Sequence, residues 1–167
     1  MTQGRPGDAT WAPLWERDVE VAAVARAVDE LCSDSMAAGG LLVFQGEAGI
    51  GKTALLSEVR RIAEGRRATV WSARGGETVT SVPFNVVRQL LQSALVPLSP
   101  EEAREYLGDW YPIAGPALGI TEPGGPQADP QGVCDGLVEA VARLSGLHWP
   151  LVLLIDDAHW ADQETLH

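Results

Sequence analysis

The chain has 167 residues, 46% of them hydrophobic, and a formal net charge of −11. That length suits one domain with its own core, and no apolar stretch reaches the ~18 residues that a membrane-spanning helix needs. Beyond position 76 the only basic residues are Arg88, Arg104 and Arg143, so no basic stripe exists to track the backbone of a nucleic acid, and this segment binds none.

Residues 1–10 are polar, carry Gly and Pro, and lack the apolar core of a signal peptide, so they read as a flexible tail. Residues 11–167 form the folded part. A first helix is expected over 15–31, where Val21, Val24, Val28 and Leu31 make one apolar stripe. After a break, Leu41-Leu42-Val43-Phe44-Gln45 reads as a buried strand. A glycine-rich string follows at 46–53. Beyond it Leu55, Leu56, Val59, Ile62 and Ala63 share one face of a second helix, which Gly65 stops. Residues 68–73 read as a second strand and 83–95 as a helix with Pro83 in its first turn. The next stretch, 96–130, is proline-rich. It holds a short helix over 100–107 and an exposed loop over 121–130. Asp129 and Pro130 then cap and open a helix whose stripe is Val133, Leu137, Val141 and Leu144, closed by Gly146. Last come Leu151-Val152-Leu153-Leu154-Ile155, five aliphatic residues that read as a strand buried on both faces, and then Asp156-Asp157. Cys32 and Cys134 fit no metal spacing and read as reduced thiols of a cytoplasmic protein.

Two strings carry chemistry. Gly46-Glu47-Ala48-Gly49-Ile50-Gly51-Lys52-Thr53 matches the phosphate-loop pattern G-x-x-x-x-G-K-[ST] at every fixed position, between an expected strand and an expected helix. Lys52 is also the only lysine in the chain. Glycines let backbone N–H groups turn inward at the positive end of a helix and form an anion nest. In such a loop Lys52 adds a point charge on the β- and γ-phosphates, and the Thr53 hydroxyl is a ligand for Mg²⁺. The second string ends a strand with carboxylates, the place where ligands bind in open α/β sheets. Asp156 is the natural second Mg²⁺ ligand, and Asp157 stands where a carboxylate orients or deprotonates an attacking water. The His159-Trp160 pair reads as packing under the sheet edge, and Arg17 and Arg74 as solvated or ion-paired.

These two strings together, the second extended through Ala158-His159-Trp160-Ala161-Asp162, resemble the AAA-like ATPase module of STAND signalling proteins. The nearest type is the large ATP-binding regulators of the LuxR family. Leu14-Trp15-Glu16-Arg17-Asp18-Val19-Glu20 resembles that family's motif beside the adenine, with Glu16 at its glycine. Ala73-Arg74-Gly75-Gly76-Glu77 and the segment 82–91 resemble the stretch after its second strand. The resemblance implies a three-layer α/β P-loop NTPase of the ASCE/AAA-like kind with a parallel sheet. It implies ATP and ADP with Mg²⁺ as ligands, and a switch that self-associates when ATP-bound. In full-length members a sensor region and a helix-turn-helix domain follow. A further strand separates the two motif strands, so the domain is expected to be incomplete at the C-terminus, poorly stable alone and hydrolytically weak. Two other readings compete. A P-loop small-molecule kinase calls for a lid rich in arginine, and residues 77–167 hold three. A degenerate non-binding scaffold is at odds with an intact Gly46, Gly51, Lys52, Thr53 and Asp156.

Overall fold

The structure is a computed structural model that describes residues 17–33, 39–77, 82–95, 98–121, 130–163 and 165. The expected tail at 1–10, the start of the first helix at 15–16, most of the 121–130 loop and the Asp129 cap lie outside the described residues. In chain order the elements are α1 (Asp18–Ser33), α2 (Lys52–Gly65), β1 (Thr69–Arg74), α3 (Asn85–Leu95), α4 (Pro100–Leu107), α5 (Tyr111–Leu118), α6 (Pro130–Leu147) and β2 (Leu151–Asp156).

β1 and β2 pair in parallel, with Thr69 opposite Leu151 and Arg74 opposite Asp156. Because side chains alternate along each strand, this register sorts them onto two faces. Val70, Val152 and Leu154 join Val24 and Val28 of α1 and Val59, Ile62 and Ala63 of α2 in one apolar cluster. Trp71, Ala73 and Leu151 join a larger cluster built from α3, α4, α5 and α6, with Leu91, Leu107 and Leu144 at its centre. The sheet therefore carries helices on both faces, the arrangement of an α/β domain.

Two expectations about strands need correction. Residues 41–45 belong to no strand. A strand exists through ladder bonds to a neighbour, and no described residue offers them here. Leu41 is 86% exposed and Val43 65%, and of this run Phe44 packs partly against the α1–α2 cluster. β2 is also not buried on both faces. Leu154 is covered, whereas Leu153 and Ile155, on the opposite side of the pleat, are 39% and 38% exposed. β1 is the one strand paired with β2 among the described residues, so its other flank lacks cover.

The proline-rich stretch holds more helix than its composition suggests. α4 starts with a capping box: Glu102 N–H donates to Ser99 Oγ at 3.2 Å, and Ser99 N–H to Glu102 Oε2 at 2.7 Å. α5 includes Pro112 in its first turn and Pro116 near its end, and Gly119 closes it in the left-handed region at φ 73°. Pro116 gives up one helix bond so close to the terminus that little of the helix depends on it. Arg88 of α3 donates to Ala117 O with Nε and Nη2 at 3.0 and 2.9 Å, which ties α3 to the carbonyl end of α5.

Candidate functional site

α2 begins at Lys52 because Gly51 takes φ 92°, a backbone state open to glycine, and turns the chain into the helix. Gly49, at φ 82°, supplies the preceding bend. No side chain caps this helix start, so its first N–H groups remain available to an anion. Lys52 Nζ donates to Gly46 O and Glu47 O, each at 2.9 Å, and so closes the loop over itself. Glu47, Ala48 and Ile50 line the solvent side of the bend, all exposed. At the foot of α1, Arg17 Nη2 donates to Ile50 O at 3.1 Å while Nη1 pairs with Glu20 at 2.6 Å. The Arg17 partner holds the Glu20 carboxyl below its ordinary range. Between α1 and the loop lies a cavity of about 170 Å³ whose walls include Arg17, Glu20, Phe44, Ile50 and Lys52.

The two motifs meet. Thr53 Oγ1 donates to Asp156 Oδ2 at 2.9 Å across 103 positions of sequence. Asp156 ends β2, and its Oδ1 accepts from the N–H of Asp157 at 3.0 Å. A hydroxyl and a carboxylate side by side are hard oxygen donors of the kind Mg²⁺ takes, with phosphate and water completing the shell. Among the described residues no group of three or more His, Cys, Asp or Glu forms a closed metal cage. The residues present therefore fit an ion that arrives with a phosphate.

Asp157 stands apart from this pair. It occupies the left-handed region at φ 50°, uncommon for a non-glycine residue. Its Oδ2 accepts from Arg74 Nε and Nη2 at 2.9 and 2.7 Å. The Arg74 guanidinium, with smaller contributions from the charges of His159 and Lys52, holds the Asp157 carboxyl below its ordinary range against some desolvation. Arg74 is thus ion-paired, as expected. His159 and Trp160 are not tucked under the sheet. They sit on an exposed 3-10 turn (Ala158–Trp160) with their rings 5.2 Å apart. The turn places them on solvent because Asp162, two residues on, takes the buried position instead.

Three residues that hold this corner together are hard to single out from sequence. Gln89 of α3 braces the end of β1: its Oε1 accepts from Arg74 N–H at 3.1 Å and its Nε2 donates to Arg74 O at 3.0 Å. Asp162, 1% exposed, accepts from the N–H groups of Phe84 and Val86 at the start of α3. Gly75 has no room for a side chain. A Cβ there would lie 2.3 Å from Asp157 O and 2.8 Å from the Trp160 carbonyl carbon. Both are backbone atoms that cannot step aside, so Gly75→Ala is expected to cost about 2 kcal/mol in a urea melt. A melt unchanged by Gly75→Ala would show that the 157–161 segment is not seated there. The one hint in the sequence is that all three fall in stretches that carry the family resemblance, Gly75 in 73–77, Gln89 in 82–91 and Asp162 in 158–162.

A family model described as an AAA ATPase domain matches residues 13–167. The chain belongs to the AAA ATPase domain family. The P-loop NTPase fold follows from that membership, and the parallel pair with helices on both faces agrees with it. AAA ATPase domains generally bind ATP or ADP with Mg²⁺. No curated protein and no solved structure matches this AAA ATPase domain. None of its described helices is long and apolar enough to cross a membrane.

Proposed function

We propose that this AAA ATPase domain is an ATP-binding switch module of a cytoplasmic signalling or transcriptional regulator of the LuxR type, with slow hydrolysis. The observation that carries the reading is the meeting of Thr53 with Asp156 beside Lys52. In this reading residues 46–53 cradle the phosphates, Lys52 neutralises them, and the base lies in the cavity beside Arg17 and Phe44. Thr53 and Asp156 would hold Mg²⁺, which would supply charge neutralisation for the phosphates. Asp157 orients the attacking water. The regulator context rests on the motif resemblance. A helix-turn-helix encoded in frame after His167 would support it, and an unrelated domain there would remove it.

Equilibrium binding of labelled ATP tests the core of the proposal. Saturable binding by the parent chain is expected, weakened about tenfold when Mg²⁺ is chelated. Asp156→Asn is expected to bind at the chelated level and to respond little to chelation. Failure of the parent to bind ATP at millimolar concentration rules the reading out. The family membership favours an ATPase domain over a small-molecule kinase. A phosphorylated product from a panel of metabolites would reverse that preference.

A further inference from the structure

Lys52 brings a charge to the phosphates, but an anion nest is built from peptide N–H groups and works only while they face the anion. The peptide between Ile50 and Gly51 is the weak point of this loop. A trans peptide points its carbonyl and its N–H opposite ways, so the direction of Ile50 O sets that of Gly51 N–H. Turning this one unit over changes ψ of Ile50 and φ of Gly51 and little else. Gly51 stands at φ 92° and, lacking a Cβ, takes negative φ about as readily. Sterics at Gly51 therefore do not hold the peptide in place. Turned over, it presents a carbonyl oxygen to an incoming polyphosphate and withdraws a donor.

The hold comes from α1. Arg17 Nη2 donates to Ile50 O at 3.1 Å, across 33 positions of sequence. The bond within the turn itself, from Ile50 N–H to Glu47 O, is long at 3.4 Å and restrains little. Arg17 is in turn aimed from behind, because its Nη1 donates to Glu20 Oε1 at 2.6 Å. Glu20 belongs to α1, which Val24 and Val28 fix against α2. With Ile50 O drawn toward α1, Gly51 N–H faces away from it. Among the described residues that N–H has no acceptor, so it is available to a ligand.

We propose that Arg17 is a positioning residue for the phosphate loop: it holds the Ile50 carbonyl against α1 and so keeps Gly51 N–H turned to the phosphates, with Glu20 aiming the guanidinium. The proposal rests on the ATP-binding reading above. It assigns Arg17 to the polyphosphate through the backbone, and the base plays no part in it.

Inorganic tripolyphosphate with Mg²⁺ is the probe, since it offers the phosphates without a base. Its binding and that of Mg·ATP are measured by calorimetry on the 167-residue parent, Arg17→Gln, Arg17→Lys and Glu20→Gln. Arg17→Gln is expected to weaken both ligands alike, by about fivefold. Arg17→Lys keeps the charge but lacks the fork that serves Glu20 and Ile50 O together, and about half of the loss at most is expected to return. Glu20→Gln removes a negative charge, which through the field alone tightens a polyanion. With the guanidinium no longer aimed, a weakening of about twofold is expected instead. The Gly51 amide resonance gives a readout independent of any ligand. It is expected to be single and sharp in the parent, and broadened or doubled in Arg17→Gln as the two peptide orientations exchange. The thermal melt is expected to stay near that of the parent, because Arg17 and Glu20 are about one-third exposed and lie outside the α1–α2 cluster. Weaker ATP beside unchanged tripolyphosphate in Arg17→Gln assigns Arg17 to the base and overturns this inference. Full recovery in Arg17→Lys together with tighter binding by Glu20→Gln leaves only the field and also overturns it. A parent that binds neither ligand overturns the functional reading beneath it.

Discussion

Lys52→Ala is expected to weaken Mg·ATP binding by about a hundredfold, the largest single loss on the ligand side, and to leave the fold in place. The size follows from what the ammonium does. It is the only lysine in a chain of net charge −11, so the long-range field opposes an incoming polyphosphate. Binding must come from local donors, and a charge-assisted bond to phosphate is worth about 1.5–3 kcal/mol, of which the upper end corresponds to that factor. Before a nucleotide arrives, the ammonium is held by Gly46 O and Glu47 O at 2.9 Å each. Those carbonyls are solvent-facing, so losing the two bonds costs the fold less than about 1 kcal/mol. A thermal melt therefore stays near that of the parent while the titration collapses. Lys52→Arg keeps the charge but spreads it over a planar fork, and partial recovery at most is expected. Unchanged ATP affinity in Lys52→Ala would falsify the assignment of residues 46–53 as a phosphate loop.

What the sequence makes legible here depends on the range of the interaction. The phosphate loop is a local object: two glycines at positive φ, a lysine and a threonine within eight positions, and its conformation follows from those residue types. Helices α1, α2, α3 and α6 were likewise readable from 3.6-residue stripes; α3 begins two residues later than expected and ends where expected, and the short helix expected over 100–107 is α4 with both ends in place. α5 was not readable, because Pro112 and Pro116 speak against helix locally. Its formation follows from Ala114 and Leu118, both buried in the larger cluster. The strand expected at 41–45 fails for the opposite reason. Its aliphatic run favours a strand, but a strand also needs a neighbour, and sequence pattern does not supply one. The bracing of the site is the least legible part. Nothing local marks Gln89 as the partner of Arg74, 15 positions away, or Asp162 as the partner of Phe84, 78 positions away.

Asp162 carries the largest expected effect on stability. Its carboxylate is 1% exposed and accepts from Phe84 N–H at 2.7 Å, Val86 N–H at 3.3 Å, Thr165 N–H at 2.9 Å and the Thr165 hydroxyl. It caps α3 from a remote part of the chain, with a full negative charge at the positive end of the helix. Asp162→Ala leaves several donors without a partner in a place water reaches poorly, and about 3 kcal/mol is expected to be lost. Asp162→Asn keeps one good acceptor and loses the charge, so about half of that is expected. The two variants separate packing from charge, and pH separates them again. Burial by itself raises the Asp162 carboxyl, but the bonds from Thr165, Val86 and Phe84 outweigh it and leave it below its ordinary 3.8. A carboxyl depressed in the folded state adds stability that is complete above 3.8 and fades as pH falls through the lower folded value. The gap between parent and Asp162→Asn in urea melts is therefore expected to be constant near neutral pH and to close in acid. A gap of the same width at every pH would mean that the charge does nothing and that shape alone holds the segment. Because that segment runs from Asp157 through Asp162, loosening its far end also frees its near end. Asp162→Asn is thus expected to weaken the Arg74–Asp157 pair without touching either residue.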